Sequence, residues 1–498
     1  MQRLNSEPVD VSGRTYERAL VWFRRDLRSF DHAALYNALS SAGDVYAAFV
    51  FDRAILDSLP RSDRRVEFIR DSVAQLDAAL VAAGGGLIVL HDHAREAIPA
   101  LARELGVHAV FANRDYEPAA IARDRAVAAS LAQDGIPYHD CKDQVIFERD
   151  EIVAQSGRPY GVFTPYRNAW LRSLTPAHLR SHPVAEEEHR LRRLPGTPPV
   201  PSLEALGFAA TNLRDTGVVP GMDGGAALFT EFRDRIDAYP STRDFPAIDA
   251  TSRLSVHLRF GTVSVRELAA FAHARSLERG GDGARTWLSE LAWREFFAQV
   301  LWHRPDVVDH SYRAEYENLR FRNDRALFAS WCEGRTGYPL VDAGMRELDT
   351  TGFMHNRMRM VAASFLVKDL LCDWRWGERF FAEKLLDYDL ASNNGNWQWA
   401  ASTGCDAQPY FRMFNPVAQS ERFDPDGAYI RRFVPELRAL DSGAIHAPWK
   451  LAPDVQHAKG VVVGRDYPAP VVDHASSRAA ALEMFKAARA GSREGGSH

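Results

Sequence analysis

The apolar residues of this chain change rhythm once, near residue 150, and that change limits the folds open to it. Before it, short apolar runs at Ala19–Phe23, Val45–Phe51, Gly86–Leu90 and Val107–Ala112 alternate with amphipathic stretches such as Val66–Ala83 and Ala94–Leu105. Strands alternating with helices at this spacing need right-handed crossovers, which build a doubly wound parallel sheet. After it, the periodicity is helical in Ala226–Ala238, Val265–Arg279, Arg285–Trp302, Asp324–Cys332, Asp342–Thr350, His355–Leu371, Glu378–Leu385 and Ser476–Ala490, with no convincing strand among them. The expected fold class is α/β followed by all-α. The expected division is an arm at 1–17 without order, an α/β domain at 18–150, a linker at 151–222 around Pro195–Pro201, a helical domain at 223–490 and a tail at 491–498.

The turn after the first strand, Arg24-Arg25-Asp26-Leu27-Arg28, has no glycine, so the dinucleotide fingerprint is absent there. Gly84-Gly85-Gly86 reads as a helix stop before a strand. No apolar run approaches the ~20 residues of a membrane span, and no charged-then-apolar leader opens the sequence. Cys141, Cys332, Cys372 and Cys405 lie far apart with no CxxC pair, which argues against a zinc site or a disulfide framework and for a reducing, cytoplasmic setting. With a net charge of −5, any nucleic-acid partner must be met by a local basic patch.

Chemistry concentrates in the helical half. Asp387–Trp399 holds two carboxylates, side-chain amides and two indoles around one long aliphatic residue, Leu390. Either it is an Asn-Asn-Gly turn over packed tryptophans, or its amides and indoles surround a polar, flat cofactor. Thr251-Ser252-Arg253-Leu254-Ser255 offers hydroxyls and a guanidinium at a helix start, suited to a pyrophosphate or to ordinary capping. Glu290, Trp293, Arg294 and Phe297 fall at i, i+3, i+4 and i+7, so one helical face carries a carboxylate and a guanidinium among aromatics. Asn356, Arg359 and Met360 share another face, and Arg359, if buried, demands a carboxylate such as Asp387.

Together these stretches, with Trp22–Arg28, Trp287–Phe296 and Thr336–Ala343, resemble the photolyase/cryptochrome family from about Ala19 to Ala490. The bacterial class I enzymes that repair cyclobutane pyrimidine dimers are the most similar branch. The resemblance implies a Rossmann-like N-terminal domain, a long linker and a large helical domain that binds FAD and DNA. It implies FAD contacts from Tyr239, Thr251, Ser252, Arg253, Leu254, Ser255, Trp287, Arg359, Asp387, Tyr388 and Asp389, with Asn393 facing the redox-active nitrogen. It implies a lesion pocket of Glu290, Trp293, Asn356, Arg357, Met360 and Trp399, with Arg243 and Arg294 near the DNA. The partner would be ultraviolet-damaged DNA carrying cyclobutane dimers, met by a monomer without a membrane.

The family also implies electron relay through three tryptophans, of which Trp397 and Trp374 match two. The third falls near Phe321, leaving Tyr316, Trp302 and Trp331 as substitutes. An antenna chromophore stays open between a deazaflavin, a folate, another flavin and none, because Pro118-Ala119-Ala120 follows Tyr116-Glu117 and Leu59 stands where a folate contact would be. A blue-light receptor without repair activity, or a (6-4) photolyase, is the competing reading. Asn393 and His355-Asn356-Arg357 favour cyclobutane-dimer repair.

Overall fold

The computed structural model describes residues 15–406 and 411–494; the arm expected at the N-terminus lies mostly outside them, as do the last residues of the expected tail. The chain divides into two compact units, each assembled from three pieces: 1–148, 174–231 and 253–274 in the first, and 149–173, 232–252 and 275–498 in the second.

The first unit is built on five parallel strands: β1 (Tyr16–Phe23), β2 (Ala42–Asp52), β3 (Leu87–Asp92), β4 (Ala109–Asn113) and β5 (Tyr138–Cys141), in the order β3-β2-β1-β4-β5. Every residue of β1 from Ala19 onward is buried, and Val21 lies opposite Ala47 on one side and Phe111 on the other. Such a strand, covered on both faces, reads as an unbroken apolar run rather than an alternation. Helices α1 (Ala33–Ser41), α2 (Arg64–Ala82), α3 (Ala94–Leu105) and α4 (Pro118–Gln133) make the crossovers. β1 begins at Tyr16, so ordered chain starts inside the expected arm. β5, Tyr-His-Asp-Cys, was not expected. It is an edge strand with only one buried-sheet neighbour, and it needs little apolar sequence.

The glycine-free turn after β1 is a charge lattice. The Arg24 N–H donates to Asp26 at 2.6 Å, and Asp26 also meets His32 at 3.0 Å. Arg28 donates to both oxygens of Asp143, at 2.8 and 2.7 Å, and Arg266 adds a bond to the same carboxylate at 2.8 Å. Arg266 also pairs with Asp31. Residues 253–274 therefore belong with the sheet, although they sit within the stretch expected as helical domain. Phe260 and Leu268, buried, complete that attachment.

The stretch expected as a linker also packs. Leu206, Phe208 and Leu213 are buried in the first unit, and Phe163, Tyr166 and Trp170 of helix α5 (Phe163–Ser173) are buried in the second.

The second unit has helices and no sheet strand among its described residues. It contains α6 (Asp282–His303), α7 (Pro339–Thr351), α8 (Asn356–Ser364), α9 (Trp374–Lys384), α10 (Leu390–Ala401) and α11 (His474–Glu494), around a core that includes Trp331, Phe365, Trp374, Phe381 and Trp397. The helix expected over 355–371 is α8 followed by one π-turn, Phe365–Asp369. The last helix runs on to Glu494, past the start of the expected tail.

Candidate flavin and lesion site

The densest polar stretch is a helix, and the Asn-Asn-Gly turn is not formed. Asp389 caps α10 by accepting from the Ser392 N–H at 3.0 Å. Asn394 and Gln398, one turn apart, both donate to the Val307 carbonyl, at 2.9 and 3.0 Å, and Gln398 also donates to Asn394 Oδ1. Amides that usually compete with a helix here find partners beyond it, so their poor propensity is overridden.

On the same helix Asn393 is 8% exposed and donates from Nδ2 to the backbone and the carboxyl of Glu378, at 3.1 and 2.9 Å. Both amide hydrogens are thus spoken for, and Oδ1 remains as an acceptor. Burial pushes the Glu378 carboxyl up, against the pull of Asn393. No spacing rule in the sequence marks Glu378, because the contact joins two helices.

Arg359 on α8 donates from Nη2 to both oxygens of Asp387, at 3.1 and 2.8 Å, and from Nε to the Met354 carbonyl at 2.8 Å. That is the pairing a buried arginine was expected to require. Nη1 is left for another acceptor. His355 caps α8 by accepting from the Arg357 N–H at 3.1 Å, and burial pushes its imidazole down to about 4, so it accepts as the neutral ring. Asn356 lies exposed at the first turn, with Met360 half-buried one turn on.

Tyr239 and Trp287 are brought together by Phe232, whose ring centroid lies 5.6 and 5.0 Å from theirs. Arg243 lies 5.3 Å over the Tyr239 ring and donates to Glu290 at 2.6 Å. Burial pushes the Glu290 carboxyl up, and Arg243 draws it back. Although its side chain is 30% exposed, this carboxyl gains protons more readily than an ordinary glutamate. Arg357 pairs with Asp244 at 2.9 Å and stacks 4.2 Å over Phe423.

Two indoles of the expected lesion pocket have different surroundings. Trp293 is already stacked on Phe163, with centroids 3.6 Å apart and planes 10° apart, so that face is covered. Trp399 is half-buried, and the Arg412 guanidinium sits 5.9 Å from its ring centroid. Arg412, which nothing in the sequence pattern marks, also lies over Phe414 at 5.1 Å. Arg294 is half-buried on α6, and Tyr388 packs against the large core.

Trp397 and Trp374 are both buried in that core. The ring neighbours of Trp397 are Phe381 at 5.0 Å and Trp331 at 6.1 Å. Trp331 continues through Phe328, at 5.9 Å, to the half-buried Trp376, 5.2 Å beyond. Phe321 packs against that core and also beside Tyr316 and Phe485. Thr251 and Ser252 close one piece of the second unit, while Arg253, at φ +52°, Leu254 and Ser255 open a piece of the first. In the first unit, Glu117 is held by Arg25 at 2.8 Å and by Arg259 at 2.5 Å.

The matches with known proteins fall on these two units. The family model described as DNA photolyase matches residues 19–188, and the FAD-binding domain of DNA photolyase matches residues 287–487. The chain belongs to the DNA photolyase family and carries its FAD-binding domain. It is 40% identical over 480 residues to the deoxyribodipyrimidine photo-lyase of Vibrio cholerae, covering 94% of this chain and 99% of the relative. A class III photolyase from Agrobacterium tumefaciens superposes with a TM-score of 0.88 at 35% identity, covering 98% of this chain and 100% of that one. A cryptochrome from Synechocystis superposes at 0.85 with 31% identity, over 94% and 99%.

The residues present fit FAD. Asn393 keeps an acceptor oxygen without a donor, Arg359 keeps N–H groups beyond its bonds to Asp387, and Asp387 and Asp389 are acceptors for hydroxyls. An acceptor on the buried Asn393 and a donor on the half-buried Arg359, both fixed by their other bonds, are what a polar cofactor requires.

Proposed function

We propose that the protein splits cyclobutane pyrimidine dimers in DNA, driven by light. Bound FAD, in its reduced form and excited by blue or near-ultraviolet light, supplies an electron that the dimer returns once its ring has opened, so the cycle has no net redox change. Arg359, Asp387, Asp389, Tyr239, Trp287, Thr251 and Ser252, all in the second unit, would hold the cofactor. Asn393, fixed by Glu378, presents an acceptor to it.

The observation that carries the reading is the Glu290 carboxyl, raised by burial and bridged to Arg243 beside an aromatic wall. A pyrimidine pair turned out of the duplex is flat, with carbonyl edges, and enzymes acting on bases extrude them in this way. Trp399 stacks on it, and Asn356 bonds its edge. When a backbone phosphate takes Arg243, Glu290 loses its counter-charge and its pKa rises further. The carboxyl then holds its proton and donates it as a hydrogen bond to the oxygen where negative charge develops. Arg357 and Arg294 meet the phosphates, which makes binding weaken as salt rises.

Support comes also from relatives named deoxyribodipyrimidine photo-lyase at about 40% identity over nearly full length. The likeness to a cryptochrome keeps a photoreceptor as the second reading. The FAD-loaded, reduced protein mixed with an oligonucleotide containing a thymine dimer is expected to split it under illumination and not in the dark. Absence of splitting in the light would leave the receptor reading.

A further inference from the structure

Lys368 sits in the π-turn that ends α8, and its side chain is 1% exposed. Its ammonium donates to the Ala400 carbonyl at 2.8 Å, to Ser402 Oγ at 2.9 Å and to the Arg412 carbonyl. Among the described residues no carboxylate bonds it. The neighbouring Asp369 is engaged by His474 at 2.7 Å. A buried lysine with only neutral partners costs stability that a methionine of similar length would not. Burial pushes its pKa down to about 7, with Arg412 lowering it further and Asp369 opposing.

The three acceptors have a common location. Ala400 lies in the last turn of α10, where carbonyls lack helical partners and a cation is favoured. Ser402 is the C-cap of that helix, in the left-handed region at φ +65°. Arg412 belongs to the returning segment, and its guanidinium lies against Trp399. A single π-turn displaces side chains from the α register, and such turns cluster at functional sites.

We propose that Lys368 is a positioning residue for the lesion pocket: it fastens the end of the helix bearing Trp399 to the segment bearing Arg412, and so holds a cation against the indole on which the lesion stacks. The proposal rests on Trp399 being that platform. Lys368 itself touches no substrate. Its value lies in fixing the place of Arg412, which then backs the indole and meets the negative charge of the DNA.

The test uses full-length, FAD-loaded protein with Lys368→Met, Arg412→Ala and the double variant. Lys368→Met is expected to keep its flavin and to unfold at no lower temperature than the wild type. It is expected to raise KM for a dimer-containing oligonucleotide by about tenfold while kcat stays within about twofold. The double variant is expected to be no worse than Arg412→Ala alone, because the two residues act as one unit. Independently of repair, hydrogen exchange is expected to quicken in Lys368→Met at Ser402–Asp406 and at Arg412. Additive losses, an unchanged KM, or loss of flavin and fold in Lys368→Met would overturn the proposal. A wild-type protein that splits no dimers would overturn the lesion reading instead, and unchanged exchange would then overturn the clasp on its own.

Discussion

Both units bury charge, but they treat it in opposite ways. In the sheet unit every buried ion of the β1 turn meets its opposite. Asp143 lies between Arg28 and Arg266, and Asp115 beside Arg25; their guanidiniums hold both carboxyls below the usual range, Asp115 at about 2. In the helical unit, the Arg359–Asp387 pair apart, several buried groups drift toward neutrality. Lys368 is pushed down to about 7 and Asp369 up to about 6, and burial raises Glu290 and Glu378. Paired charges give a fixed scaffold, whereas groups shifted toward neutrality keep protons or bonding capacity to spend on something else. The contrast separates the part of the molecule that holds shape from the part that meets ligands.

The sharpest way to break that contrast is Asp143→Ala. It leaves the buried Arg28 without a carboxylate and Arg266 with Asp31 alone, and the expected loss is about 3–5 kcal/mol, read by chemical denaturation. Lys368→Met in the same assay is expected to lose no stability. If the two results were reversed, the division between scaffold and site would fail.

Next in size is Glu290→Ala, which removes a charge-assisted hydrogen bond worth about 1.5–3 kcal/mol, or roughly ten- to a hundredfold in the rate of dimer splitting. Flavin content should be unchanged, because Glu290 bonds Arg243 rather than the Arg359–Asp387 pair.

The third expectation concerns pH. Lys368 has a folded pKa near 7 against 10.5 in the unfolded chain, so between those values the unfolded state binds the extra proton. Raising pH through that window therefore stabilises the native protein relative to Lys368→Met, as thermal midpoints measured side by side from pH 7 to 10 would reveal. The scaffold carboxylates act with the same sign, but in the acid range. Their contribution is present above the ordinary aspartate pKa and is lost as pH falls through their lowered values.

The smallest effect is expected at Trp331. It touches Trp397 directly and leads on through Phe328 to Trp376, whereas Trp302 lies under Arg149. Trp331→Phe should lower the yield of tryptophan radical seen by transient absorption in the illuminated flavoprotein, and Trp302→Phe should not.

Four of the five strands were legible because a twice-covered parallel strand leaves an uninterrupted apolar run. β5 was not, since its four residues lie at the sheet edge. Most helices of the second unit were legible from the 3.6-residue period, but that period carries no address: Val265–Ser276 reads as a helix without revealing that Arg266 closes the charge lattice of the sheet. In the site, Arg359 with Asp387 followed from the cost of burying an arginine alone. Glu378, Arg412 and Lys368 did not, because each acts on a residue far away in sequence. Asp387–Trp399 was ambiguous for a related reason. Whether its amides make a turn or a helix depends on the carbonyls of Val307 and His310, which the stretch itself does not contain.

The sheet unit's division into three pieces bears on synthesis. The second cation of Asp143 is Arg266, so a ribosome that has made the whole sheet has still not made the residue that completes its charge lattice. Until more than a hundred further residues have emerged, Asp143 has only Arg28 as its cation and Asp31 lacks the Arg266 guanidinium. The nascent sheet is expected to be held loosely, and a fragment ending at residue 150 to be a poor substitute for the domain.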